Sequence, residues 1–121
     1  MSKEAIVELY KKYDLVKEDV FKHQHYLIIT RSGIEKIMAK EDIRITYKVE
    51  RCEPNFAVVK AFVTKKVQSL ETFGSALKGA TYKDGNTNSW YVMELAEKRA
   101  MSRGVLKMAD LYKFGIFGED E

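Results

Sequence analysis

The sequence predicts an α+β fold, in which a three-stranded antiparallel meander is followed by a long helix (a β-β-β-α core) with short helices ahead of it. Three observations carry this. From Ile43 to about Ala76 the apolar period is 2, which is strand patterning, whereas the segments before and after it favour helix. Strands grouped together with helices around them argue α+β with an antiparallel sheet rather than alternating βαβ units. No repeat, low-complexity tract or Pro/Gly-rich linker interrupts the 121 residues, so 1–121 reads as one domain, with a core over about 26–112 and an acidic C-terminal tail over 117–121.

Taken in order, residues 3–13 put Ile6, Val7 and Tyr10 on one stripe, with Lys3, Glu4, Lys11 and Lys12 outside it: a short amphipathic helix. Phe21 to Thr30, ending Tyr26-Leu27-Ile28-Ile29-Thr30, reads as one strand. Ser32 with Glu35 three residues on fits a capping box, opening a helix that buries Ile34, Ile37 and Met38. Ile43, Ile45, Tyr47 and Val49 then alternate with Arg44, Thr46, Lys48 and Glu50, as a half-buried strand requires. Glu53-Pro54-Asn55 is a turn, and Phe56 to Thr64 is a second strand with Ala57, Val59, Ala61 and Val63 on one face. Past Lys65-Lys66 a third strand covers about Val67 to Ala76. Lys78 to Asn88 is an exposed loop. Ser89 is a good N-cap for the longest helix, Trp90 to about Tyr112, which Gly115 and Gly118 stop.

Composition narrows the function classes. The longest uncharged apolar run is about four residues, far short of the roughly 20 a membrane span needs. The first 16 residues carry acids and bases throughout and have no apolar segment of signal-peptide type. Cys52 stands alone, which excludes an intramolecular disulfide and a multi-cysteine zinc site and makes a reducing cytoplasm the expected compartment. Formal net charge is +3, a mild basic bias that permits a polyanion partner.

The distribution of that charge is more informative. Arg99, Arg103 and Lys107 recur at i, i+4, i+8, placing three cations within about 12 Å on one helical stripe. Ala96, Ala100 and Gly104 form a small-residue stripe beside it, where a helix can approach a sheet or another helix closely. Such a stripe is either a solvated basic face or a row of phosphate contacts, since each guanidinium presents a planar fork of donors matched to phosphate oxygens. Arg44 and Lys48 on the first meander strand, with Lys60, Lys65 and Lys66 on and after the second, add cations: Lys22 to Lys66 holds ten basic residues against five acids. Edge lysines that merely prevent aggregation account for some of them. Tyr82 with Lys83 in the loop, and Trp90 with Tyr91 at the helix start, set aromatics among charges, as base-stacking surfaces do; Trp90 and Tyr91 also fit as core or cap residues.

No catalytic or cofactor set is legible. His23 and His25, at i, i+2 on one strand face, have no third ligand at a telling distance. Cys52 has no histidine near it in sequence, and Lys78-Gly79 with Gly74 and Gly85 lacks the order of a phosphate loop. Glu94, Glu97 and Asp110 point in different directions on one helix, with Glu94–Lys98 an ordinary i, i+4 pair. The expectation is no enzyme, no metal and no cofactor.

One stretch carries a resemblance. Ala96-Glu97-Lys98-Arg99-Ala100-x-x-Arg103-Gly104-Val105 resembles the AETRAxxRAL-type helix motif of phage single-strand DNA-annealing and ssDNA-binding proteins of the Redβ/RecT/Erf type. Leu27-Ile28-Ile29-Thr30-Arg31-Ser32-Gly33-Ile34, followed by Ile37, is similar to their strand–T-x-x-G–helix opening, and the order of three strands then the motif helix resembles their core. Together these span about residues 26–112. Lys98 stands where threonine is usual, and Gly104 where alanine is usual. The resemblance implies homo-oligomeric rings or filaments that hold single-stranded DNA in a basic groove between sheet and helix, with no ATP or metal catalysis, and assigns the motif's two arginines to Arg99 and Arg103. Glu119-Asp120-Glu121 is reminiscent of acidic tails that recruit recombination or replication proteins; it also fits an ordinary chain end. The expected function is single-stranded DNA binding, with strand annealing in phage or mobile-element recombination as its extension. An accessory module docking an acidic protein on the basic face is the alternative.

Overall fold

The computed structural model describes residues 2–81 and 83–120, and they form the predicted α+β architecture. Helix α1 (Lys3–Tyr13) is capped by Ser2, whose hydroxyl accepts the Ala5 N–H at 3.1 Å, and ends at Asp14 in the left-handed region (φ 54°). Leu9 and Tyr13 are its buried residues, while Val7 of the expected stripe is exposed.

The single strand expected over Phe21–Thr30 is instead a hairpin, β1 (Val20–His23) and β2 (Tyr26–Ile29), paired antiparallel from Val20↔Ile29 to His23↔Tyr26. Gln24 turns it in the left-handed region (φ 57°), a conformation most side chains avoid and for which the residue type gave no signal. His23 therefore ends β1 while His25 lies in the turn, so the two do not share a strand face. Helix α2 (Arg31–Lys40) has its N-cap two residues before the one expected: Thr30 holds that position, and Ser32 lies inside the first turn. The Ser32 hydroxyl donates to Asp19 Oδ1 at 2.5 Å, and Glu35 pairs with Arg31 at 3.3 Å. A buried carboxylate from the preceding 3₁₀ turn (Lys17–Asp19) thus takes the hydroxyl that a capping box would have used.

The meander follows as β3 (Arg44–Glu53), β4 (Phe56–Lys65) and β5 (Gln68–Leu77), in the order β3-β4-β5 and antiparallel throughout. Pro54-Asn55 joins the first pair, and a turn at Lys66 (φ 54°) the second. Ala57, Val59, Ala61 and Val63 are all buried, which is the inner face expected of β4; Thr72, Gly74 and Ala76 of β5 extend it. A bulge between Val49 and Arg51 shifts the register of β3.

Helix α3 (Val92–Met108) crosses β4 and β5 on this inner face. It is shorter than expected at both ends: Tyr91 rather than Ser89 holds the N-cap position, and the chain leaves the helix at Ala109, with Asp110 left-handed (φ 59°). A 3₁₀ turn (Tyr112–Phe114) and Gly115 (φ 74°) then lead into β6 (Ile116–Gly118). This strand pairs parallel with β2, Leu27↔Ile116 to Ile29↔Gly118, making a second sheet in the order β1-β2-β6. Residues 117–118 thus belong to a strand and not to the acidic tail expected over 117–121; three residues are too few for a period to show. The buried residues run from Leu9 to Ile116, with Ile29, Ile34, Ile37, Val105, Leu106 and Ile116 sealed from solvent. No helix among the described residues is long and apolar enough to cross a membrane.

Candidate nucleic-acid interface

The small-residue stripe of α3 sets the site, because it fixes how close the helix lies to the sheet. Ala96, Ala100 and Gly104 are fully or nearly buried against β4 and β5. A Cβ added at Gly74 would run into the Ala96 carbonyl and the Ala100 amide, and one at Gly104 would lie 2.6 Å from Val63 Cγ2. Thr72 Oγ1 donates to the Ala100 carbonyl at 2.8 Å across the same contact. The stripe is therefore used within the chain, on its own sheet, and is not free to join a neighbouring subunit.

That contact carries the two motif arginines over the free edge of β5. Arg99 and Arg103 line one cleft of about 420 Å³ together with Phe73, Gly74, Ser75 and Asn86. Arg99 is half-buried, and its guanidinium is engaged by backbone: Nη1 donates to Ser75 O at 2.7 Å, Nη2 to Asn86 O at 3.1 Å and Nε to Asp120 O at 3.0 Å. Burial lowers its pKa from the ordinary arginine value, with the Asp120 carboxylate opposing that shift. Asn86 closes the adjoining stretch of strand edge in the manner of a one-residue strand. Its Oδ1 accepts the Leu77 N–H at 2.7 Å, its Nδ2 donates to Ser75 O at 3.3 Å, and its own N–H reaches Leu77 O at 2.9 Å. Arg103, one turn beyond Arg99, is exposed and makes no hydrogen bond or ion pair among the described residues. Lys107 follows it, exposed, outside the lining of the cleft.

The sheet cations do not join this cleft. Arg44, Lys48 and Lys60 occupy the alternate positions of β3 and β4 and so point away from α3, onto the outer face of the sheet. The groove between sheet and helix expected to hold all of them is filled by apolar packing instead. Lys60 makes long ion pairs with Glu50 (3.9 Å) and Glu71 (3.7 Å), and Arg44 lies 3.9 Å from Asp42. Lys65 is committed to the fold: it pairs at 2.8 Å with Glu41, itself little exposed and 3.8 Å from Lys12. Lys66 is exposed in the β4–β5 turn, Lys83 is exposed in the long loop, and Tyr82 lies outside the described residues.

Trp90 is neither core nor cap; it is 77% exposed, with Tyr91 edge-on to it at 5.8 Å. Both line a second cleft, of about 450 Å³, with Arg31, Glu94, Glu97, Lys98 and Met101. Glu97 and Met101 are about 200° round the helix from Arg99 and Arg103, so the two clefts flank α3 on different sides. The Trp90 cleft mixes two acids with two bases. Beyond it, burial pushes the Tyr47 hydroxyl up to about 12, with Glu97 adding to the shift.

Phe73 and its outer-face neighbour Phe62, 51% and 44% exposed, were not singled out by sequence reasoning, because a phenylalanine inside a strand reads as core. Strand parity held the signal: both alternate with the buried positions of β4 and β5. Among the described residues no group of three or more His, Cys, Asp or Glu side chains could hold a metal ion. Comparison with protein-family models, curated proteins and solved structures finds no match to this chain.

Proposed function

We propose that this protein binds single-stranded DNA, without catalysing a reaction, through the cleft at the β5 edge, and that annealing of complementary strands in phage or mobile-element recombination is the use of that binding. The observation that carries the reading is the placement of Arg99 and Arg103 beside an exposed aromatic ring, with Arg103 making no hydrogen bond or ion pair among the described residues. A guanidinium free of protein acceptors has its donor fork available to phosphate oxygens, and a ring next to it offers a face to a base. The likeness of the 96–105 segment to the Redβ/RecT/Erf helix motif supports the same reading, and with it assembly of several copies, a cytoplasmic location, and a recombination or replication partner met through the acidic C-terminal residues.

The test is fluorescence anisotropy of a labelled oligo-dT at about 50 and 200 mM salt, for wild type and Arg103→Ala. Binding is expected to weaken with salt, with a slope of roughly −0.7 per phosphate neutralised, and Arg103→Ala to lower the affinity and remove about one such contact from the slope. A well-folded wild type that ignores the oligonucleotide at the lower salt would sink the proposal. One observation favours the docking-module reading instead: Arg99, the other guanidinium of the cleft, already holds three backbone carbonyls, which suits a single acidic anchor better than a run of phosphates.

A further inference from the structure

The outer face of the β3-β4-β5 sheet is uncovered, since α3 packs on the inner one. Its exposed apolar residues are mainly aromatic: Phe73 on β5 and Phe62 on β4. We propose that this face continues the arginine cleft as a stacking platform for unpaired nucleobases, with Phe73 and Phe62 as its two rings. The inference rests on the binding reading above and deepens it, because a platform of this kind selects single strands over duplexes.

Continuity is the first argument. Phe73 lines the Arg103 cleft and also belongs to the outer face, so a strand whose phosphate meets Arg103 has a ring immediately beside it. Register is the second. Phe62 lies directly opposite Glu71, which makes Phe73 its diagonal neighbour two positions on, a separation of about 7–8 Å. Rings at that spacing can each take one base without competing for the same one. Charge is the third. Lys48 and Lys60 are direct cross-strand partners that share Glu50, at 4.0 and 3.9 Å, so one loosely held carboxylate stands where a phosphate could bridge the two cations. Lys60 is also directly opposite Phe73. Its pairs to Glu50 and Glu71, at 3.9 and 3.7 Å, are long enough to be exchanged for a phosphate oxygen. Trp90 lacks these features: its cleft lies on the other flank of α3 from Arg103, and its acids Glu94 and Glu97 are set against Arg31 and Lys98.

The experiment measures anisotropy of a labelled oligo-dT and of a duplex of the same length against wild type, Arg103→Ala, Phe73→Leu, Phe62→Leu and Phe73→Tyr. Leucine keeps an apolar side chain and removes the π face; circular dichroism and sedimentation velocity confirm folding and assembly state. Each leucine variant is expected to lose about 5- to 150-fold in oligo-dT affinity, the range for loss of one stacked base. Phe73→Tyr, which keeps the ring, should retain wild-type affinity, and duplex binding should be unchanged across the three phenylalanine variants. If Arg103→Ala weakens binding while both leucine variants match wild type, the platform is wrong and the cleft stands. If wild type does not bind oligo-dT at all, the cleft reading fails and the platform with it. If the leucine variants instead break an assembly that wild type forms without DNA, the face is covered by a second copy and the proposal is overturned.

Discussion

Asp19 ties the 3₁₀ turn before β1 to helix α2. Its carboxylate is buried and takes three donors: Lys36 Nζ at 2.6 Å, Ser32 Oγ at 2.5 Å and the Val16 N–H at 2.9 Å. Burial alone would raise its pKa, but those hydrogen bonds outweigh it and hold the group below the ordinary carboxylate value. Glu41, bound by Lys65 and Tyr13, is held low in the same way against its own burial. A carboxylate whose folded pKa is depressed stabilises the fold above its unfolded value of about 4, and that stability is lost as pH falls through the folded value. Wild type should therefore lose stability below about pH 4. Asp19→Asn is expected to cost about 1–3 kcal/mol at neutral pH, by leaving Lys36 and Ser32 without their charged acceptor. Its stability should then fall less steeply with acid than wild type, the remaining slope being that of Glu41. Urea unfolding at a series of pH values between about 7 and 3 reads both effects, and parallel curves for the two proteins would show that Asp19 is not the group that titrates.

Among the elements, α3 on its sheet shows what patterning reveals and what it hides. The alternation of Ala57, Val59, Ala61 and Val63 and the small stripe Ala96, Ala100 and Gly104 were both legible, because each is a period repeated over several turns or pleats. Arg44, Lys48 and Lys60 were legible as polar-face residues, and the same parity that buries Ala57, Val59, Ala61 and Val63 under α3 turns these cations away from Arg99. The turn at Gln24 and the strand β6 were hidden for different reasons, an uncommon residue in a left-handed turn and a strand of three residues. The close approach of α3 makes a graded prediction. At Gly74 an added methyl meets main-chain atoms of Ala96 and Ala100, which cannot move without displacing the helix. At Gly104 it meets side-chain rather than main-chain atoms, Val63 Cγ2 at 2.6 Å and Thr72 Oγ1 at 3.2 Å; the buried, β-branched Val63 must shift, a cost that the roughly 1 kcal/mol of helix propensity alanine regains offsets in part. Gly74→Ala should cost about 1–3 kcal/mol or more, and Gly104→Ala distinctly less. Equal urea midpoints for the two variants would mean that α3 slides on the sheet rather than being keyed to it.

At the scale of the whole molecule the two sheets are linked through α3, and Arg99 is the side chain that ties its flank to both. One guanidinium holds β5 at Ser75, the long loop at Asn86 and, at Asp120, the segment that follows β6. Its neighbour Arg103 makes no hydrogen bond or ion pair among the described residues, so two arginines that look equivalent in the motif differ in role. Arg99→Ala should lower the melting temperature by several degrees, corresponding to about 1–3 kcal/mol for hydrogen bonds from a charged donor, whereas Arg103→Ala should leave it within a degree or so of wild type. Arg99→Lys should not restore the loss, because an ammonium cannot span three carbonyls that a planar fork meets at once. Differential scanning calorimetry of the three variants decides it. Equal melting temperatures for Arg99→Ala and Arg103→Ala would remove the structural role of Arg99 and return both guanidinium groups to the cleft on the same footing. A drop for Arg99 alone would mean that any loss of oligonucleotide binding in Arg99→Ala has to be measured against its loss of fold, and that Arg103 is the residue whose removal reads the site cleanly.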